Sequence, residues 1–149
     1  MLVEVESAAN FLSDLLSRSQ RVSQKQLQAF RQSIITCLVN SYQKHWFPEQ
    51  PFKGSAFRCL RINHKMDPLV FRAAEECGLQ RELEILPNEL TLWVDPKEVS
   101  YRIGENGSIC VIYEDSPHSS PNSSHSSSPV QSWLGSNVTT RVCLNSFLS

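Results

Sequence analysis

The chain has 149 residues, 40% of them hydrophobic, and a formal net charge of -1 at pH 7. That length favours one domain with at most an appendage, and the hydrophobic share can fill a core. The near-zero charge excludes a global electrostatic pull toward nucleic acid or an anionic membrane. No apolar run approaches the roughly 18–20 residues that span a bilayer. The opening MLVEVESAANFLSDLL is acidic near its start and lacks the basic region of a secretion signal. A soluble intracellular protein is the expectation. Five scattered cysteines without a Cys-x-x-Cys pair agree with it, as ordinary thiols in a reducing compartment and mostly small core hydrophobes. The Asn-x-Ser/Thr triplets at Asn106, Asn122 and Asn137 are read as chance matches.

Helical periodicity opens the chain. Ala8, Phe11, Leu12, Leu15 and Leu16 fall on one stripe at three- and four-residue spacing. After the polar break SRSQR, Ser23 and Gln26 form an S-x-x-Q capping box. Leu27, Phe30, Ile34, Leu38 and Tyr42 then continue an apolar face over about five turns. Two antiparallel helices with a short polar connection are predicted. Leu12 to Leu16 also fits the LxxLL pattern of groove-binding helices, but the same leucines are needed to bury the first helix against the second.

From Lys44 to Lys65 the chain reads KHWFPEQPFKGSAFRCLRINHK. Pro48 and Pro51 exclude a helix interior from its first half. Phe57 to Ile62 alternates like a half-buried strand. Trp46 is expected to brace the end of the second helix. Phe52 and Phe57 flank the flexible turn Lys53-Gly54-Ser55, where exposed aromatics are typical anchors of a protein–protein surface.

Asp67-Pro68 starts a third helix, with Val70, Ala73, Ala74 and Cys77 as its apolar face and Gly78 as its C-terminal cap. A short helical turn runs from Leu79 to Leu86. Leu90 to Val94 reads as a strand in which Trp93 faces opposite to Leu92 and Val94, outward from the core. Asp95 lies on Trp93's side of the sheet. Pro96 to Ile103 has a helix-like start, with Asp95 as N-cap and Glu98 at N3, but equally fits a strand. Ser108 to Glu114 is a further strand after the turn signals of Gly104 to Gly107. The pattern is that of an α+β domain over 1–115, with helices packed on one face of a small, mainly antiparallel sheet.

Composition changes at Ser116. The remaining 34 residues hold twelve serines, three prolines and one charged residue, Arg141. Such a stretch cannot bury enough apolar surface to offset its ordering entropy, so 116–149 is expected to be disordered. Ser116, Ser120 and Ser128 each precede proline and are candidate phosphorylation sites. The basic turn around Lys53 and Arg58 is the place expected to receive such phosphates.

No chemistry is legible. Cys59 and His64 would point to opposite faces of a strand, and His45, Cys59, His64 and Cys110 lack zinc-ligand spacing. There is no glycine-rich phosphate loop. No enzyme, metal or cofactor is expected. Seven basic or histidine side chains between Lys44 and Lys65 raise RNA binding as a reading. Glu49 and the slightly acidic body argue instead for a solvated basic face on an edge strand, so sequence-specific nucleic-acid binding is not expected.

HWFPEQPFKGSAFRCLRINHKMDP and LPNELTLWVDPKEVSYRIGENGSICVIYE resemble the two signature boxes of the BTG/Tob antiproliferative proteins, over residues 4 to 115. RINHKMDP is similar to the short BTG branch. The resemblance implies a non-enzymatic adaptor, cytoplasmic and nuclear, that binds the Caf/Pop-type deadenylase subunit of the CCR-NOT complex. It also implies a restraint on cell proliferation through poly(A) shortening and, as an alternative, a role as a transcriptional cofactor that meets transcription factors. Carried over by motif, the contacts are Phe57, Trp93 and Asp95, with Phe52, Lys53 and Lys97 at the rim. Phe57 stands where the short branch usually carries tyrosine, Gln50 where it carries lysine, and Lys97 where it carries an aromatic. A Pro-Ser-Lys-Asn-Tyr-like third box is absent, which puts recruitment of poly(A)-binding protein in doubt.

Overall fold

A computed structural model of the protein describes residues 1–115. Ser116, Ser120 and Ser128, with the rest of the Ser/Pro-rich stretch, lie outside the described residues. Helices α1 (Leu2–Leu16) and α2 (Gln24–Tyr42) are followed by strand β1 (Cys59–Asn63) and helix α3 (Pro68–Glu76). Strands β2 (Glu89–Asp95), β3 (Glu98–Ile103) and β4 (Cys110–Glu114) complete a four-stranded antiparallel meander in the order β1-β2-β3-β4. Short 3-10 turns occupy Gln43–His45, Ser55–Arg58 and Arg81–Ile85.

The helices form where local signals place them. Ser23 and Gln26 make both bonds of the capping box: the Ser23 hydroxyl accepts from the Gln26 N–H, and the Gln26 side-chain oxygen accepts from the Ser23 N–H. Asp67 accepts the N–H of Leu69 at 2.9 Å to cap α3, with Pro68 at the first helical position. The α3 C-terminus closes in a Schellman motif. Leu79 N–H bonds the Ala74 carbonyl at 2.8 Å and Gly78 N–H the Glu75 carbonyl at 3.2 Å, a geometry reached with Gly78 at φ +70°.

The apolar stripe of α1 covers one face of the sheet, α2 packs against α1, and α3 against α2. Val5, Phe11, Leu12 and Leu16 of α1 meet Leu92, Val94, Val99, Tyr101 and Ile112 in one cluster, and the Phe11 and Tyr101 rings lie 4.5 Å apart. Each fully buried Leu or Phe contributes about 1.5–3 kcal/mol. Burial pushes the Tyr101 hydroxyl up to about 12. Among the described residues the other face of the sheet carries no helix. On the free edge of β1, the backbone N–H of Arg61 donates to Asp67 at 3.0 Å, so the residue that caps α3 also blunts that edge.

Two expectations change, and an open alternative is decided. Phe57 and Arg58 belong to a 3-10 turn rather than to β1. Cys37, Cys59 and Cys77 are free thiols, but Cys110 is disulfide-bonded, so the expectation of five free thiols fails there. The segment after Asp95 takes the strand alternative rather than the capped helix, entered through a two-residue hairpin with Asp95 opposite Glu98 and Pro96-Lys97 at the tip. Period-two burial of Val99, Tyr101 and Ile103 beside β2 outweighs the local helix-start signal. Pro96 fits position i+1 of a type II turn, and Lys97 takes φ +70° at i+2, where glycine is preferred. Lys97→Gly is therefore expected to stabilise the protein by about 0.5–1 kcal/mol, the left-handed strain relieved less glycine's extra unfolded-state entropy. A raised urea midpoint at unchanged slope is the measurement that checks it.

Candidate functional site

One corner of the molecule gathers most of the predicted contact residues. Tyr42 ends α2, and the chain runs through His45, Trp46 and the two prolines in turns before it reaches the sheet edge at Cys59. Pro48 and Pro51 supply no donors there, so the segment's polar backbone must find partners outside any ladder. The partner is Arg58. Its side chain is 0% exposed. Nη1 donates to the carbonyl of Lys53 at 2.7 Å and also to that of His45. Nη2 donates to the Pro51 carbonyl at 2.7 Å, and Nε to the Val94 carbonyl of β2 at 2.9 Å. Nη2 also meets Asp95 Oδ1 at 2.9 Å in an ion pair. The Trp46 ring lies 5.4 Å from the guanidinium carbon.

The turn that Arg58 holds presents the rings. Phe52 is 84% exposed and Phe57 65%. Phe57 stacks on His45 at 4.2 Å with the ring planes 12° apart, which fixes its direction despite its exposure. Lys53 is exposed, with Nζ 4.5 Å from the Phe47 ring. An open groove of about 310 Å³ runs beside it, lined by Trp46, Phe47, Pro48, Glu49, Gln50 and Lys53. Gly54 sits at φ +75°, and a Cβ there would stand 3.0 Å from the His45 carbonyl oxygen and 3.2 Å from Arg58 Nη1.

β2 supplies the rest. Register places Trp93 between Cys59 of β1 and Ser100 of β3 on the helix-free face. Trp93 does face away from the core, but it is half-buried, with the Arg102 guanidinium 5.7 Å from its ring. Lys97 is exposed at the hairpin tip. Asp95 departs from expectation: it is only 8% exposed and caps no following turn. Its Oδ1 accepts from Ser55 Oγ at 3.1 Å and from Arg58. Among the described residues Oδ2 has no hydrogen-bond partner.

Arg58, read from sequence as part of a solvated basic face and a phosphate-receiving turn, is neither. Its donors are consumed inside the protein. A signal for this did exist, since Arg58 shares strand parity with the inward-facing Leu60 and Ile62. Ser55 and His45 were likewise missed as members of the corner. Among the described residues no group of three or more His, Cys, Asp and Glu is placed to hold a metal.

One face of the sheet lies under helices, and at one corner exposed rings are backed by a buried ion pair. The model of the BTG family matches residues 1–113. Human BTG1 is 56% identical over 119 residues, 78% of this chain and 70% of that protein, whereas human Tob1 is 38% identical over 117 residues, 77% of this chain and 33% of its own length. Among solved structures, the BTG/Tob domain of C. elegans FOG-3, carrying two substitutions, matches with a TM-score of 0.67 at 25% identity, covering 77% of this chain and 83% of that one. The chain belongs to the BTG/Tob antiproliferative family, on its short BTG branch.

Beside Asp95, Glu98 of β3 lies directly opposite Glu114 of β4. Burial, then Glu114 and then Asp95, push the Glu98 carboxyl above its ordinary range. A carboxyl raised in this way favours the folded state only while protonated, and that contribution is lost as pH rises through the folded pKa. Glu114→Gln is therefore expected to stabilise the protein at pH 7 by about 0.2–1 kcal/mol. The gain should fade as the solution is acidified from pH 7 and the raised Glu98 carboxyl takes up its proton. Thermal melts of the two proteins across that range check the sign.

Proposed function

We propose that this chain is a non-enzymatic adaptor that docks the Caf/Pop-type deadenylase subunit of the CCR-NOT complex through the Phe52–Phe57–Trp93 corner. In doing so it would act on mRNA poly(A) shortening and restrain proliferation, in cytoplasm and nucleus. The observation that carries the reading is the pair of phenylalanine rings held in solvent by a rigid turn, beside a tryptophan and a carboxylate. Such rings gain most when a partner's pocket removes them from water, about 25 cal/mol for each Å² of apolar surface. Anchors of this kind dominate binding energies.

The chemistry also describes the complementary surface. It needs an apolar pocket for Phe57 and Trp93 and a hydrogen-bond donor or cation that reaches Asp95 Oδ2. Lys53 and Lys97 at the rim favour acidic neighbours there and act mainly on the association rate. The partner's own active site does the chemistry; this chain supplies position.

Phe57→Ala is expected to weaken binding of the purified nuclease subunit by about 2 kcal/mol, roughly 30-fold, with little change in melting temperature. Trp93→Ala should weaken binding by at least as much, and also lower stability by about 1 kcal/mol because the ring is half-buried. Calorimetric titration in RNase-treated samples measures both. Unchanged affinity in both variants would remove this corner from the interface.

A further inference from the structure

Arg58 has a role that exposed contact residues cannot have. We infer that Arg58 is the positioning residue of the docking corner: it never touches the partner, yet it sets where Phe52 and Phe57 stand relative to Trp93 and turns one oxygen of Asp95 outward. This inference rests on the proposed docking function and adds to it the device that organises the surface.

The geometry connects the two halves of the corner through one side chain. Phe52 lies between Pro51 and Lys53, whose carbonyls both accept from Arg58. Phe57 stacks on His45, whose carbonyl accepts from the same Nη1. On the other side, Nε grips the Val94 carbonyl and Nη2 grips Asp95, so both flank Trp93's end of β2. These bonds join residues 45–53, which have no ladder of their own, to the C-terminal end of the inner strand β2. Charge-assisted bonds to carbonyls are stronger than neutral ones, and the planar fork gives them direction. Binding energy of a docking surface depends on such preorganisation, since otherwise ordering the loop costs affinity.

Asp95 shows the specificity in this arrangement. Ser55 and Arg58 both use Oδ1. Oδ2 is thereby left without a hydrogen-bond partner among the described residues, and it is the oxygen of Asp95 that a partner's donor would meet. A lysine at position 58 would keep the charge beside Asp95 but lacks the fork needed for the carbonyls on both sides.

The test compares five proteins, the parent, Arg58→Lys, Gly54→Ala, Phe57→Ala and the double variant of Arg58→Lys with Phe57→Ala, for affinity to the purified nuclease subunit and for amide exchange. Arg58→Lys is expected to bind at least tenfold more weakly. The amides of Lys53, Ser55 and Phe57, hydrogen-bonded within the turn, should exchange faster while those of β2 and β3 keep their protection. Gly54→Ala crowds the same node without removing a charge and should give the same pattern. The double variant of Arg58→Lys with Phe57→Ala should lose less than the product of the two single losses, because an anchor already misplaced has less to lose. Affinity within twofold of the parent for Arg58→Lys, with the turn loosened, overturns the inference. So does unfolding of the sheet in both Arg58→Lys and Gly54→Ala, which would make Arg58 a core residue only. If Phe57→Ala itself binds like the parent, the docking reading fails first, and the two failures are distinguishable.

Discussion

A guanidinium taken wholly out of water is an expensive object, costing several kcal/mol before compensation. In this protein Arg58 is compensated by four backbone carbonyls and one carboxylate, and the surrounding structure is arranged around that requirement. The two prolines prevent 48–51 from joining a helix, and the carbonyls of the segment are left without ladder partners. Arg58 answers both problems at once. It gives the irregular segment its hydrogen bonds and receives in return the acceptors that make its burial tolerable.

The consequence reaches the surface. A loop that would otherwise sample many conformations becomes part of the sheet's rigid frame, so apolar rings can stand in solvent without collapsing onto the nearest core. The sheet contributes through its asymmetry. Its inner face is closed by α1, whereas the outer face keeps Trp93 and Arg102 at the level of solvent. A domain built in this way keeps exposed rings on one side of a separate buried core.

The family match and the geometry meet over the same residues. The matched span, 1–113, contains every residue of the corner. Within it, Phe57 is exposed and stacked on His45. Lys97 takes a left-handed backbone conformation at the hairpin tip.

What the sequence determined by itself was everything whose cause is local or periodic. The stripes of α1 and α2, the Ser23–Gln26 box, the Asp67-Pro68 start and the Gly78 stop were all readable, because each depends on residues within a turn or two of one another. The outward direction of Trp93 followed from alternation alone. Tertiary structure decided what depends on distant partners. Arg58 looked like a solvated cation because its acceptors come from residues 45, 51, 53, 94 and 95, which no window of sequence brings together. Asp95 looked like a surface carboxylate or a helix cap because its hydrogen-bond partners, Ser55 and Arg58, lie about forty positions earlier. The segment after Asp95 became a strand because β2 was already there to pair with it, and a local capping signal is weaker than a ladder of hydrogen bonds with three buried side chains beneath it.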